Sequence, residues 1–504
     1  MRSVQQIQSQ DESETTKRMR DTQPVNILNS SPLDASAITQ SRLVQIQQQT
    51  PPQHFVPSRF NAVARGAGGE LVVWNSFTGR INSFEGARVN EAAQLLDSGC
   101  NGPLDGIAKY LADRGFLVPE SYDEYKVLQL AAGKEHYRGD VLELFLLASE
   151  DCNFRCRYCY ESFQRGTMAP QVRTGVRNLL QKRIADLTRL SIAWFGGEPL
   201  YGFPAVAEIA PFAKQLADRH GVHFSSHMTT NGYLLSPQIA DQLLEWNVNA
   251  FQITIDGVQE VHDRARPLRT GAGSFDTIIS NLRSLKKRTQ DFLVRLRVNF
   301  DNENRPELEP LLDLLARDFA KDERFTIAFY PVSRFGGPND RELDVCRPSE
   351  AYRFRIAMMD AARERGVTPA GTLREASGLG TNVCYAARPY SFVIGADGKL
   401  MKCTVALDKE DNNVVGRITE AGNLEIDPAK FAIWVEPAFQ SDTTCQQCKI
   451  VGSCQGMACP LDRIRDGIRP CGNTPKPTLN ASLLQAFKYG PAATNTRPGI
   501  MLRD

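Results

Sequence analysis

Residues 152–161 read CNFRCRYCYE, a stretch that places Cys152, Cys156 and Cys159 within eight positions. A structural zinc ion or a common iron–sulfur cluster takes four ligands. The loop therefore either borrows a ligand from elsewhere or holds a metal group with one position open. The preceding nine residues, VLELFLLAS (141–149), form an apolar run of strand length. The three thiols follow directly on that strand, and parallel α/β folds carry their ligands in such strand-end loops.

Downstream, strand and helix patterns alternate. LSIAWFGG precedes helical periodicity at 204–219, and VHFSSHMT precedes it at 236–246. AFQITIDG, FLVRLRVNF and FTIAFYPV continue the series to about residue 331, with helices predicted at 170–187, 274–288 and 306–318. Six such repeats predict a parallel sheet, because each helix must cross back over it. An α/β fold with an open, partial (β/α)6 barrel follows, since the repeat stops before eight.

The flanks divide the chain further. Residues 1–55 are rich in Gln, Ser, Asp and Thr and predict a disordered extension. Residues 56–140 combine strand-like RFNAVAR, ELVVWNS and RINSF with two amphipathic helical stretches, which suits a winged-helix-like α+β module. The barrel spans 141–340. Glycine, proline and cysteine dominate a region assigned to 341–475, and 476–504 form a tail. Lys and Arg number 59 against 58 Asp and Glu, a net charge of +1 that argues against a nucleic-acid surface. No apolar run reaches the roughly 20 residues of a membrane span, and the amino terminus lacks a secretory apolar segment. A cytoplasmic address is expected.

The twelve cysteines cluster, three at 152–159 and seven between 384 and 471, with Cys100 and Cys346 apart. None of the six histidines falls in either group, so all-thiolate coordination is favoured, iron–sulfur before zinc. Cys100 reads as an inert thiol and His262 as structural. The second strand ends in Gly196, Gly197 and Glu198, the third in TTNG (229–232) and the fourth in TIDG (254–257). Each is an ordinary turn alone, yet all are polar loops at consecutive strand ends. VRLRVN puts Arg295, Arg297 and Asn299 on one strand face by its period of two.

The spacing Cys-x3-Cys-x2-Cys with Tyr158 before the last cysteine, followed by GGEP, resembles the radical S-adenosylmethionine superfamily. The resemblance implies a [4Fe–4S] cluster on Cys152, Cys156 and Cys159 whose open iron is chelated by S-adenosylmethionine. Reductive cleavage would then give a 5′-deoxyadenosyl radical. It also implies that Gly196, Gly197 and Glu198 hold the methionyl amine and that Thr254 meets the ribose or carboxylate. Thr229 and Asn231 join the same rim, and Arg266 of HDRARP approaches the carboxylate. The later cysteines, Cys384, Cys403, Cys445, Cys448, Cys454, Cys459 and Cys471, resemble the SPASM extension with two auxiliary [4Fe–4S] clusters, three clusters in all. By that analogy Cys445, Cys448, Cys454 and Cys471 hold the outer cluster and Cys384, Cys403 and Cys459 the inner one. Four residues separate Cys454 from Cys459 where the family pattern has three. The inner cluster lacks a fourth neighbouring cysteine, so either Cys346 reaches in or an iron is open.

SPASM enzymes mostly modify peptides or proteins. The module at 56–140 resembles those that grip a leader peptide by strand addition. The expected activity is that of a maturase abstracting hydrogen from a ribosomally made precursor peptide, to form a crosslink or another oxidised product. The expected electron donor is a flavodoxin or ferredoxin, and neither a nucleic acid nor a membrane is an expected partner. A sulfatase maturase making formylglycine is the second reading, and a non-catalytic iron–sulfur protein the third. VSRFGGPND (332–340) is assigned to the substrate side.

Overall fold

The computed structural model describes residues 54–163, 165–370, 378–407, 411–467 and 479–484, and the backbone of 496–497 and 500–501. The extension to 53 and Cys471 lie outside the described residues.

The amino-terminal part is built on two three-stranded antiparallel sheets. The first pairs β1 (His54–Pro57) with β5 (Cys100–Asn101) and β6 (Leu117–Pro119), and the second pairs β2 (Asn61–Arg65), β3 (Leu71–Asn75) and β4 (Ile81–Phe84). β1 begins at His54, inside the span read as disordered. Helices α1 (Arg88–Ser98), α2 (Gly106–Asp113) and α3 (Glu124–His136) complete it. Phe55, Leu71, Val73, Phe84, Leu111 and Phe116 form its own apolar core. Its outward contacts run to the cysteine-rich region: Ser76 Oγ donates to Lys449 O at 2.6 Å and Tyr125 Oη to Phe439 O at 2.8 Å. Gly452 is a close-approach glycine there, since a Cβ would lie 2.8 Å from Phe77 backbone atoms.

The barrel begins with β7 (Val141–Ser149), buried along nearly its whole length, as a parallel strand covered on both faces should be. Then follow α4 (Pro170–Arg183), β8 (Arg189–Gly196), α5 (Phe203–His220), β9 (His223–Thr230), α6 (Pro237–Glu245) and β10 (Val248–Thr254). The series ends with α7 (Gln259–Ala265), α8 (Phe275–Lys286), β11 (Leu293–Phe300), α9 (Leu308–Phe319) and β12 (Phe325–Pro331). The six expected repeats are present and pair in parallel, β7 to β12 in order. Proline at the first turn of α4, α5 and α6 pre-sets helical φ, and Ser236 caps α6 by accepting from Ile239 N. Apolar stripes such as Val176–Leu180, Val206–Ile209, Ile278–Leu282 and Leu311–Leu315 press onto the strands in one core.

Residues beyond 340 add strands to both edges of this sheet. α10 (Pro348–Glu364) leads to β13 (Thr368–Pro369), parallel to β12, and β14 (Ser391–Ile394) runs parallel to β7. β15 (Lys399–Met401), β16 (Val414–Ile418) and β17 (Leu424–Ile426) continue antiparallel from β14. No described helix is long and apolar enough to cross a membrane.

Candidate active site

The carboxyl ends of β7 to β11 surround a cavity of about 200 Å³. Cys152, Cys156 and Cys159 line it together with Gly196, Gly197, Thr229, Asn231, Thr254 and Arg266. Six of the seven residues assigned to S-adenosylmethionine thus meet the three cysteines at one place.

The cysteine loop is held by its backbone. Cys152 N donates to Asp151 Oδ1 at 2.8 Å, Arg155 N to Pro267 O at 2.9 Å and Arg157 N to Ala265 O at 3.1 Å. These last two bonds zip the loop to the segment carrying Arg266, which explains why a residue over one hundred positions away faces the thiols. Burial pushes all three thiols up, Cys159 to about 12. A desolvated thiolate needs a cation beside it. Three soft sulfur donors line one cavity, with no disulfide among the described residues, a donor set whose chemistry suits an iron–sulfur cluster; no three His, Cys, Asp or Glu among the described residues are grouped as for a single metal ion. Phe154 N, 3.3 Å from Cys152 Sγ, and Asn231 Nδ2, 3.8 Å away, point N–H groups at that sulfur.

The two glycines have a steric cause in this fold. Gly196 has φ of 113°, and a Cβ there would lie 2.2 Å from Ser149 O; at Gly197 it would lie 2.6 Å from Asp151 O. Only glycine lets the end of β8 approach the cysteine loop this closely. Glu198 is fully buried and is not among the lining residues. Its carboxylate accepts from Thr230 Oγ1 at 2.7 Å, Asn231 N at 2.7 Å and Leu200 N at 2.9 Å. Burial raises its pKa, and these three donors oppose the rise. It braces the ends of β8 and β9 from behind the cavity wall.

Beneath the cavity lies a polar network that the sequence reading missed. Tyr158 Oη donates to Asp256 Oδ2 and accepts from Arg266 Nη1 at 2.5 Å and from Asn299 Nδ2 at 3.0 Å. Asn299 N donates to Asp256 Oδ1 at 2.7 Å, and Arg297 Nε to Asn299 Oδ1 at 2.8 Å. Arg266 Nη1 stands 3.9 Å from Asp256 Oδ2, with both side chains almost wholly buried. Burial works against the Arg266 charge, but Cys156, Tyr158 and Asp256 outweigh it and keep the guanidinium protonated. Its Nε is buried without a partner, so one donor remains for a bound group. Arg297 and Asn299 line the cavity beside Thr254, while Arg295 on the same strand is buried outside the lining. Asp256 of TIDG lies just past the end of β10 (Val248–Thr254), where a turn acid is the ordinary reading.

The later cysteines form a second region. Cys384, Cys403 and Cys459 act electrostatically on one another: Cys459 raises the Cys403 thiol, and Cys384 raises the Cys459 thiol, each after burial. Cys384 N donates to Met457 O at 2.9 Å, which ties the first cysteine to the loop before the last. Cys445 lies in a short helix (Thr443–Gln446), Cys454 ends the next (Val451–Cys454), and Cys448 between them donates its N–H to Cys445 O at 3.1 Å. Cys346 lies elsewhere, 4.0 Å from Arg305 Nη1 and acted on by Asp301 and Asp344. Cys100 sits in β5 opposite Phe55. His262 is buried and accepts from Asp256 N at 3.2 Å, a structural placement.

Residues 146–315 match the family model described as the radical SAM superfamily. The chain is 26% identical over 212 residues to the radical SAM cyclopropyl synthase TigE of Paramaledivibacter caminithermalis, covering 37% of this chain and 42% of that protein. It is 27% identical over 224 residues to the cysteine-type anaerobic sulfatase-maturating enzyme of Clostridium novyi, covering 42% and 57% respectively. The chain spans about two fifths of the length of the first curated relatives it matches. Among solved structures, native anSMEcpe with bound AdoMet superposes with a TM-score of 0.51 at 19% identity, covering 69% of this chain and 97% of that one. That likeness concerns the fold.

Proposed function

We propose that this chain, whose residues 146–315 match the radical SAM superfamily model, is a SPASM-type maturase of a ribosomally made peptide. The observation that carries the reading is the meeting of Cys152, Cys156 and Cys159 with Thr229, Asn231, Thr254 and Arg266 around one cavity. A [4Fe–4S] cluster on the three thiols would supply the electron that cleaves S-adenosylmethionine, giving a 5′-deoxyadenosyl radical that abstracts hydrogen from the peptide. Thr229, Asn231, Thr254 and the Gly196–Gly197 backbone would hold the S-adenosylmethionine, with Glu198 bracing them. The Arg266 guanidinium, with Asp256 as its counter-charge, would meet a carboxylate. Asn299 and Arg297 would face the substrate side.

Two auxiliary clusters are part of the proposal. Cys445, Cys448, Cys454 and Cys471 would hold one; Cys384, Cys403 and Cys459 would hold the other, with an open iron, since Cys346 faces Arg305. The electrons would come from a flavodoxin or ferredoxin in the cytoplasm. The relation to a sulfatase-maturating enzyme favours formylglycine formation as the second reading. The folded part ahead of the first cysteine motif favours a peptide with a leader segment.

The test is anaerobic turnover with dithionite. The wild-type protein should release 5′-deoxyadenosine and give a peptide product about two hydrogens lighter. Cys156→Ala should lower 5′-deoxyadenosine release at least a hundredfold, and undiminished release would sink the assignment.

A further inference from the structure

The start of segment 332–340 lies between two cavities. Arg334 Nε and Nη2 donate to Asp340 O and Leu343 O, each at 2.8 Å, and Asn339 Nδ2 donates to Arg157 O at 3.1 Å. The segment therefore closes on itself and is tied to the cysteine loop. On its near side is the cavity with the three thiols. On its far side is a larger one, about 1260 Å³, and the two share Pro331, Val332 and Ser333. That volume exceeds the roughly 300–1,000 Å³ of a typical small-ligand pocket.

Tyr330, the residue before the shared wall, lies between one arginine of each cavity. Arg297, which lines the first cavity, stands over its ring at 4.3 Å, and Arg355, which lines the second, at 5.9 Å. The second cavity is otherwise lined mainly by apolar and hydroxyl side chains, with Arg334, Arg353 and Arg355 as its charges. No Asp or Glu lines it among the described residues. The two carbonyl partners of Arg334 orient its guanidinium without neutralising it. A cleft lined by one sign of charge concentrates ligands of the other sign, and the planar guanidinium matches a carboxylate.

We propose that this second cavity receives an acidic segment of the substrate peptide and leads the neighbouring residue past Tyr330 to the thiol-lined cavity. The proposal rests on the peptide-maturase reading and adds the class of sequence recognised. The probe is a rhodamine-labelled peptide of about ten residues alternating Glu and Gly, with a Gln-for-Glu control, titrated into the anaerobically reconstituted full chain. Fluorescence anisotropy should show the Glu peptide binding about fivefold or more tighter at low salt, from two or three partly exposed ion pairs. The gap should shrink at about 300 mM salt. The double variant Arg353→Glu with Arg355→Glu should erase it, and Arg353→Lys with Arg355→Lys should keep most of it. Equal binding of the two peptides would overturn the proposal, as would a gap that survives the Glu substitutions. Stronger displacement by an oligonucleotide of matched charge would overturn it in favour of a nucleic-acid site. Release of 5′-deoxyadenosine by the wild-type protein without peptide is measured separately. Its absence removes the radical reading and leaves the binding result standing, so the two failures are distinguishable.

Discussion

Replacing Asp256 by Asn tests whether the buried network beneath the cavity holds Arg266 in place. The carboxylate is fully buried, with Arg266 Nη1 3.9 Å away and Tyr158 and Asn299 N as its hydrogen-bond partners. Asn keeps the shape and can still accept from Asn299 N. Its amide nitrogen, however, would face the Tyr158 hydroxyl, which already accepts from Arg266, and the guanidinium would lose its counter-charge. Removing one member of a buried pair costs about 3–5 kcal/mol. The described residues number roughly four hundred, so their unfolding entropy is about 1 kcal/mol per degree at roughly 2.1 cal/mol/K per residue. Asp256→Asn should therefore lower the melting temperature by about 3–5 °C under anaerobic conditions. The double variant with Arg266→Met should recover more than half of that loss, because the uncompensated charge is gone. Strictly additive losses in the two variants, or a single variant melting within about 1 °C of wild type, would refute the coupling. In turnover, Asp256→Asn should raise the KM for S-adenosylmethionine more than it lowers kcat, as a positioning residue acting through Arg266 should.

The remaining expectations follow from the same geometry. Gly337→Ala would put a Cβ 2.6 Å from Cys159 O, so the cysteine loop must shift; overpacking of about 1–3 kcal/mol should appear as reduced iron content after reconstitution. Glu198→Gln turns one acceptor into a donor among three donors, costs about 1–3 kcal/mol and should lower the melting temperature by a similar number of degrees. His262 is neutral in the fold because burial, and then Arg266, press its pKa well below 6.5. Below pH 6.5 the unfolded chain takes a proton that the folded one refuses, so stability falls as pH falls, by about 1.4 kcal/mol per unit. His262→Gln should flatten the melting curve against pH below 6.5, and an unchanged slope would remove His262 from the account.

The parts of the site that were legible are those written in short-range spacing. Three cysteines in eight positions, glycines where β8 touches the loop, and Thr229, Asn231 and Thr254 at strand ends all follow from local order and a period of two. Their convergence then follows from a parallel sheet, which puts every strand's carboxyl end on one rim. The Tyr158 network was not legible, because its members are separated by 98 to 141 positions and no local pattern links them. Burial also reverses the meaning of a residue type. Asp256 in TIDG reads as a turn acid, yet it is a desolvated counter-charge. Arg266 reads equally well as a surface ion-pair partner, yet it is buried over the ring of Phe154 at 5.7 Å. The strands after residue 390 escaped for another reason: three to five residues is too short for a periodic signal, and they are held by pairing, β14 on β7 and β15 to β17 in series from β14. Edge pairing also changes what the cysteine-rich region is mechanically. With β14 in register with β7, Ser391 opposite Glu143 through Ile394 opposite Leu146, the strand that leads into Cys152 and the strand that leads towards Cys403 belong to one sheet. A displacement at either cysteine group must then be carried by shared backbone hydrogen bonds, so the two groups should respond together to substitutions in β7.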